Sequence, residues 1–348
     1  VDLAQHLGFS VTTVSRVING KSKQYRISNN TTKLVLDAVE KLGYRPNELA
    51  RGLRLKKTHL LGLVVPDISN PFFAHLTHVI QNILYKLGYS LMVCNTNEDI
   101  LLEKEQIELM RRKGVEGFII MPVGTDYEHI VELVEHNIPT VLLDRLIEKI
   151  KFNSVVVDNY KGSYQAVQYL IKRGHRRIAI IQGLKKTFTN DERLRGYRDA
   201  LREADIEIDE NLIVGKDFRK ENGYIETKFL MNRNDPPTAI FAFSDLITLG
   251  VLQALNEENM VIPNDISLIS FDDIDFAPYL IAPLTVVKQP KELMGEVAVK
   301  LLIEDIKSKG RSEKRKIILD PKLIIRKSVK EIKYNVQLKQ SERKKKVV

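Results

Sequence analysis

The sequence predicts an α/β protein with a small all-α head in front of it, and three observations carry that expectation. The chain has 348 residues, more than one ordinary hydrophobic core supports, so two or three domains are expected. The hydrophobic period changes near residue 60. Before it apolar residues recur at helical spacing, and after it short apolar runs alternate with amphipathic segments. The charge divides at the same place. Residues 1–58 hold 11 Lys+Arg against 4 Asp+Glu, a net of +7, while residues 59–332 carry −3 and residues 333–348 carry +5 of the overall +9. Such asymmetry points to a polyanion contacted by one end of the molecule.

Composition removes several classes. Hydrophobic residues at 43% and charged residues at 28% describe a folded chain. No run approaches ~18 uninterrupted apolar residues, so no membrane-spanning helix is expected. The start, Val1-Asp2-Leu3-Ala4-Gln5-His6, lacks a basic n-region and a long apolar core and reads as the inside of a first helix. Cys94 stands alone, which excludes a disulfide framework and a Cys-rich zinc site within one chain and makes the cytoplasm the expected compartment.

In the head, Gly8 breaks the first helix, Ser10 can cap a second over 11–18, and Asn19-Gly20 ends it. Val14, Val17 and Ile18 form its inward stripe, leaving Thr12, Thr13, Ser15 and Arg16 outside. A basic loop over 21–27 leads to a third helix over 29–42, with Leu34, Val35, Ala38, Val39 and Leu42 on one face. Pro46 and Asn47 then open a short segment over 48–55 that bears Arg51 and Arg54. It is too short to be a stable helix alone and reads as a conditional linker.

From residue 60, strand-like runs fall at 60–65, 90–94, 117–121, 140–143, 154–157, 177–181, 239–243 and 267–271. Amphipathic segments fall at 73–87, 101–112, 127–136, 162–173, 192–204, 223–231 and 246–256. This alternation means βαβ units, and their number fits two α/β lobes with parallel sheets and a cleft between them. Ligands in such sheets sit beyond the carboxyl ends of the strands.

Two constellations carry chemistry. A helix, a tight turn at Gly8 and a second helix with a polar outer face make a helix-turn-helix, whose second helix can lie in a DNA major groove. Val11 can touch a thymine methyl, Thr12 or Thr13 can bond either base type, and Arg16 can pair with guanine or hold a phosphate. The second constellation is Phe72, Phe73, Asp158, Arg193, Phe218, Ser244, Asp245 and Asp272, placed at or just after strand ends. Carboxylates and Arg that bond hydroxyls, beside aromatic faces, describe a sugar or nucleobase pocket.

Taken in order, Val14-Ser15-Arg16-Val17-Ile18-Asn19, the run from Leu42 to Arg51, the run from Gly62 to Phe73, Arg193-Leu194-Arg195-Gly196-Tyr197, Ser270-Phe271-Asp272-Asp273 and Pro283-Leu284-Thr285 resemble the LacI/GalR family of transcriptional regulators over nearly the whole chain. The resemblance implies a head over 1–46, a hinge helix over 47–58 and a two-lobed, periplasmic-binding-protein-like body over 59–330, with a basic tail over 331–348. It places the N-lobe at about 59–157 and 288–318 and the C-lobe at about 158–287 and 319–330. It implies DNA contact by Ser10, Val11, Thr12, Thr13, Ser15, Arg16 and Asn19, and by Asn47, Ala50, Arg51, Leu53 and Arg54 of the hinge. Leu53 corresponds to the family's wedge between base pairs. It further implies a homodimer on a near-palindromic operator, repression, and a sugar or sugar-derived effector. Ser244 and Ser270 depart from the Asn and Gly frequent in the family, so effector identity does not carry over.

Enzyme readings find no support: the sequence has no nucleophile elbow, no Walker sequence and no GxGxxG after a strand. No cofactor is expected. Asp272-Asp273-Ile274-Asp275 reads as ligand and cap groups, because successive carboxylates at a strand end point different ways. His75 and His78 have the spacing of a zinc pair but no third ligand nearby, so no metal is expected. A transport solute-binding protein would share the body but not the basic head. A basic scaffold without sequence preference is the other alternative.

Overall fold

The computed structural model describes residues 2–43, 58–147 and 151–333. The chain divides into two compact units at Thr58–His59.

The first unit holds three helices, α1 (Asp2–Leu7), α2 (Val11–Ile18) and α3 (Asn29–Lys41). Ser10 caps α2 by accepting the Thr13 amide at 3.1 Å, and Ser28 caps α3 by accepting that of Thr31 at 3.1 Å. Each such cap contributes about 1 kcal/mol. Leu3, Ala4, Val14, Val17, Val35 and Ala38 form the core, with Ile18, Ile27 and Val39 partly buried against it. The expected inward face of α3 is narrower than the sequence suggested. Leu34 and Leu42 are exposed, because three short helices leave room for only the central stripe.

In the second unit, the first lobe begins with β1 (Leu60–Val65), α4 (Pro71–Lys86), β2 (Ser90–Asn95), α5 (Ile100–Arg112), β3 (Phe118–Ile120), α6 (Glu128–Glu135), β4 (Thr140–Leu143) and β5 (Asn153–Val157). The second lobe follows with α7 (Asn159–Lys172), β6 (Ile178–Ile181), α8 (Phe188–Glu203), β7 (Ile213–Val214), α9 (Lys220–Met231), β8 (Ala239–Ala242), α10 (Asp245–Glu257), β9 (Ser267–Phe271) and β10 (Thr285–Lys288). The chain then returns to the first lobe as α11 (Lys291–Lys307) and β11 (Lys316–Leu319), and ends in the second lobe as β12 (Lys322–Ile324).

The first sheet has the order β11-β5-β4-β3-β1-β2 and is parallel throughout. The second has the order β12-β10-β9-β8-β6-β7. It is parallel except at its edge, where β12 runs antiparallel to β10. Helices cover both faces of each sheet, so strands such as Ile178–Ile181 and Ala239–Ala242 are buried along their length. The chain passes from lobe to lobe at β5–α7, β10–α11 and β11–β12.

One close contact sets the geometry of the second lobe. The α7 and α8 helices meet at Gly196, where an added Cβ would lie 2.5 Å from the Tyr160 carbonyl oxygen and 2.9 Å from the Tyr164 amide nitrogen. That approach lets Ser163 Oγ donate to the Arg193 carbonyl at 2.6 Å. Backbone cannot yield as a flexible side chain does, so Gly196→Ala should destabilise the body by about 1–3 kcal/mol. Urea unfolding measures this, and an unchanged midpoint would contradict the packing argument.

Candidate functional site

The carboxyl ends of the two sheets face a cleft of about 810 Å³. Its first-lobe wall is built from the turns after β1, β2 and β4. Asn70 caps α4 by accepting the Phe72 amide at 2.8 Å, and Pro71 starts the helix. This places Phe72 and Phe73 in the first turn, buried and edge-to-face with centroids 5.3 Å apart. After β4 the chain turns through Asp144, at φ +68, and Arg145. The Arg145 guanidinium forks onto Glu98 with distances of 2.8 and 2.6 Å and donates to the Pro122 carbonyl at 3.1 Å. Its Nε has no hydrogen-bond partner among the described residues and lies 4.0 Å from Asp144 Oδ2.

The second-lobe wall centres on Arg193, which is 3% exposed. Its Nε donates to Asn159 Oδ1 at 2.8 Å and its Nη1 to the Phe243 carbonyl. Its guanidinium carbon lies 3.6 Å from the centroid of the Phe271 ring. Among the described residues no carboxylate reaches it within ion-pair distance. Burial therefore lowers its pKa, against the opposing pull of Asp272, Asp144 and Asp245. Asp272 follows β9 at φ +77 and accepts from Gln289 Nε2 at 2.6 Å. The Gln289 Oε1 is buried and has no hydrogen-bond partner among the described residues. Phe218 lies flat against Gly183, whose missing Cβ would fall 2.2 Å from the ring.

Burial raises the pKa of three carboxyls around Arg193, those of Asp144, Asp245 and Asp272. Asp144 is pushed up to about 6, with Arg145 and Arg193 pulling the other way. Asp245 and Asp272 are raised by burial as well, and the charge of Asp272 raises Asp245 further. Fixed carboxyls, two guanidiniums and an amide oxygen, flanked by three phenyl rings, suit a polar ring bearing several hydroxyls.

Six of the eight expected cleft residues line this space: Phe72, Phe73, Arg193, Phe218, Ser244 and Asp272. Two do not. Asp158 is the N-cap of α7 and accepts the Lys161 amide at 2.8 Å, so its carboxylate serves the helix terminus. Asp245 is the first residue of α10, 3% exposed, and accepts the Leu246 amide at 2.7 Å. Both helices begin earlier than the periodicity indicated. The same holds for α8, which starts at Phe188, so Arg193 sits in its second turn and not at its start. Asp144, Arg145, Glu98 and Gln289 were missed. The polar pair directly after the apolar run 140–143 was the available signal for Asp144 and Arg145.

The acidic run separates as expected from strand geometry: Asp272 faces the cleft, while Asp273 accepts from Arg326 at 3.1 Å. His75 bonds Glu292 at 2.9 Å and His78 bonds Asn82 at 3.0 Å. The described residues contain no group of three or more His, Cys, Asp and Glu placed to hold a metal ion, and no helix among them is long and apolar enough to cross a membrane.

On the head, Val11 is 55% exposed and Thr12 is exposed beside it. Ser10 and Thr13 share a hydroxyl hydrogen bond of 2.8 Å. Asn19 Nδ2 donates to the Ser15 carbonyl at 2.6 Å. Val11, Thr12 and Arg16 are thus the outward groups of α2 without a side-chain bond inside the helix. Asn47, Ala50, Arg51, Leu53 and Arg54 lie outside the described residues.

A helix-turn-helix head, together with a two-lobed body enclosing a polar, aromatic-walled cleft, defines a DNA-binding regulator with a ligand-binding domain. Residues 1–47 match the bacterial regulatory proteins of the lacI family, and residues 58–327 match the periplasmic binding proteins and sugar binding domain of the LacI family. The chain is 34% identical over 332 residues to the HTH-type transcriptional repressor PurR of Photobacterium profundum, covering 95% of this chain and 98% of that protein. It is 36% identical over 332 residues to PurR of Proteus mirabilis, covering 94% and 96%. Among solved structures, the lac repressor dimer bound to operator and the anti-inducer ONPF is similar with a TM-score of 0.82 and 25% identity, covering 94% of this chain and 98% of that one. A LacI family regulator from Enterococcus faecium with bound ribose has a TM-score of 0.71 and 31% identity, covering 79% and 100%. The chain belongs to the LacI family of bacterial transcriptional regulators.

Asp144 makes the cleft sensitive to pH. Its folded carboxyl titrates near 6 against an ordinary 3.8, so the native state holds this proton more tightly than the unfolded chain. The Asp144 contribution to stability therefore falls as pH rises from about 4 to about 6 and is level above that. Asp144→Asn removes the titration. Between pH 4 and pH 7 the unfolding free energy of the variant should fall by about 2–3 kcal/mol less than that of the wild type. Parallel pH profiles from urea unfolding would refute the assignment.

Proposed function

We propose that the protein is a sequence-specific repressor whose operator affinity is set by a sugar-like small molecule bound between the lobes of its body. The observation that carries the ligand half is Arg193, a buried guanidinium with no ion-pair partner among the described residues, opposite Asp144 and Arg145 of the other lobe and flanked by phenyl rings. Hydroxyls can accept from the guanidiniums and donate to the carboxyls, and the rings can cover the apolar faces of a sugar. The printed ligand of the Enterococcus faecium relative, ribose, agrees with this chemistry.

The DNA half rests on the head. Its net charge of +7 supplies phosphate neutralisation, and the outward Val11, Thr12 and Arg16 of α2 supply groups for base edges. Two copies reading two half-sites of a near-palindrome form the working assembly, as in the lac repressor dimer on its operator. Asn47, Ala50, Arg51, Leu53 and Arg54 form the hinge in this reading. Ligand binding changes the angle between the lobes and so the affinity for operator, a coupling of about 1–3 kcal/mol. The protein acts in the cytoplasm and without catalysis.

Selection of duplexes from a random-sequence pool on the full chain, followed by a thermal-shift panel of neutral sugars, tests both halves. Arg16→Ala should weaken binding to the selected duplex and erase most of its advantage over a scrambled one, since a bidentate base contact gives about 1–3 kcal/mol of discrimination. Retained discrimination removes α2 as the reader. Arg193→Ala and Asp272→Ala should each abolish the thermal shift given by any stabilising sugar while leaving affinity for the selected duplex within about twofold. A full shift in either variant places the ligand elsewhere.

A further inference from the structure

The outer face of α2 carries a contact whose donor edge is still free. The Arg16 guanidinium carbon lies 3.8 Å from the centroid of the Tyr25 ring. That distance is a stack of the planar cation on the aromatic face. The Arg16 side chain makes no hydrogen bond or ion pair among the described residues, so its N–H groups remain available while its face is covered.

Tyr25 is itself held. Its amide donates to the Lys21 carbonyl at 3.2 Å, and the Lys21 amide in turn donates to the Arg16 carbonyl at 2.9 Å. Beyond it the chain turns at Arg26, φ +55. The Ile27 amide then donates to the Ser22 carbonyl at 2.9 Å, and the Ile27 side chain packs on the head core. The loop is therefore tied to the carboxyl end of α2 on one side and to the core on the other. The ring between them is 43% exposed, on the surface with Arg16.

We infer that Tyr25 is a positioning residue for DNA recognition: its ring presets the Arg16 guanidinium so that its N–H edge meets a base pair in the major groove. The inference rests on α2 being the recognition helix. A flexible Arg loses rotamer freedom when it pairs with a base, and a guanidinium already stacked loses less. The ring takes the weakly hydrated face of the cation and leaves the edge, which is the part that makes a bidentate contact with guanine. Tyr25 in this role adds no charge and needs no contact of its own with DNA.

The test uses the full chain and a duplex selected on it from a random pool, with a scrambled duplex as reference. Tyr25→Leu should lower affinity for the selected duplex about fivefold, leave the scrambled duplex unchanged, and leave the salt dependence of binding unchanged. Tyr25→Phe should stay within about twofold of wild type. In an Arg16→Ala background Tyr25→Leu should have no further effect. Thermal melting of each variant confirms that the head is folded. A Leu variant that binds like wild type overturns the inference. So does a Phe variant as weak as the Leu variant, which would assign the effect to the hydroxyl, and so does an equal loss on both duplexes. If Arg16→Ala loses discrimination as expected but Tyr25→Leu remains additive, the inference alone fails. If Arg16→Ala keeps discrimination, the recognition-helix reading fails first.

Discussion

A guanidinium sealed inside protein is the constraint on which the body depends. Moving such a charge out of water costs several kcal/mol even after relaxation, and among the described residues no carboxylate lies within ion-pair distance of Arg193 to offset it. The structure answers with a neutral cradle: Asn159 from the start of α7, the Phe243 carbonyl at the end of β8, and the Phe271 ring at the end of β9. Three elements of one lobe converge on one side chain, and Gly196 permits the helix approach that brings it there. The longer-range balance comes from Asp272 and Asp245 of the same lobe and Asp144 of the other. Because the compensating charge lies partly across the cleft, the electrostatics of the site depend on how the lobes face each other.

The same logic explains why Arg145 and Glu98 form a bidentate pair in the first-lobe wall. That pair anchors Arg145 in the wall, where its Nε lies 4.0 Å from Asp144 Oδ2 and has no hydrogen-bond partner among the described residues. Arg145 and Gln289 both line the cleft, and Gln289 Oε1 is likewise buried without a hydrogen-bond partner among the described residues. Groups of this kind are costly when left unpaired.

Much of this was legible in the sequence, and the exceptions have physical causes. The Ser10 cap, the two-sheet body and the placement of Asp272 follow from local signals: a cap before an apolar stripe, strands alternating with helices, and a polar residue just after a strand. Asp158 and Asp245 carry the same local signal, an acid between a strand and a helix, but capping and helix packing claim them. Only three-dimensional packing separates the two outcomes. The Glu98–Arg145 pair joins residues from different turns, and the Gln289–Asp272 bond joins the ends of neighbouring strands, so neither pairing has a local signature. Leu34 and Leu42 show the opposite error, because helical periodicity reports which residues share a face but not how wide the buried part of it is.

The central claim is that the cleft and the operator-binding form of the protein are thermodynamically coupled through the lobes. Titration calorimetry of a neutral sugar that stabilises the protein, with the free protein and with the protein saturated by its selected duplex, measures that coupling directly. The account predicts dissociation constants that differ by about 5- to 150-fold, with operator affinity shifted by the same factor in the presence of sugar. Equal sugar affinities in the two states would contradict it.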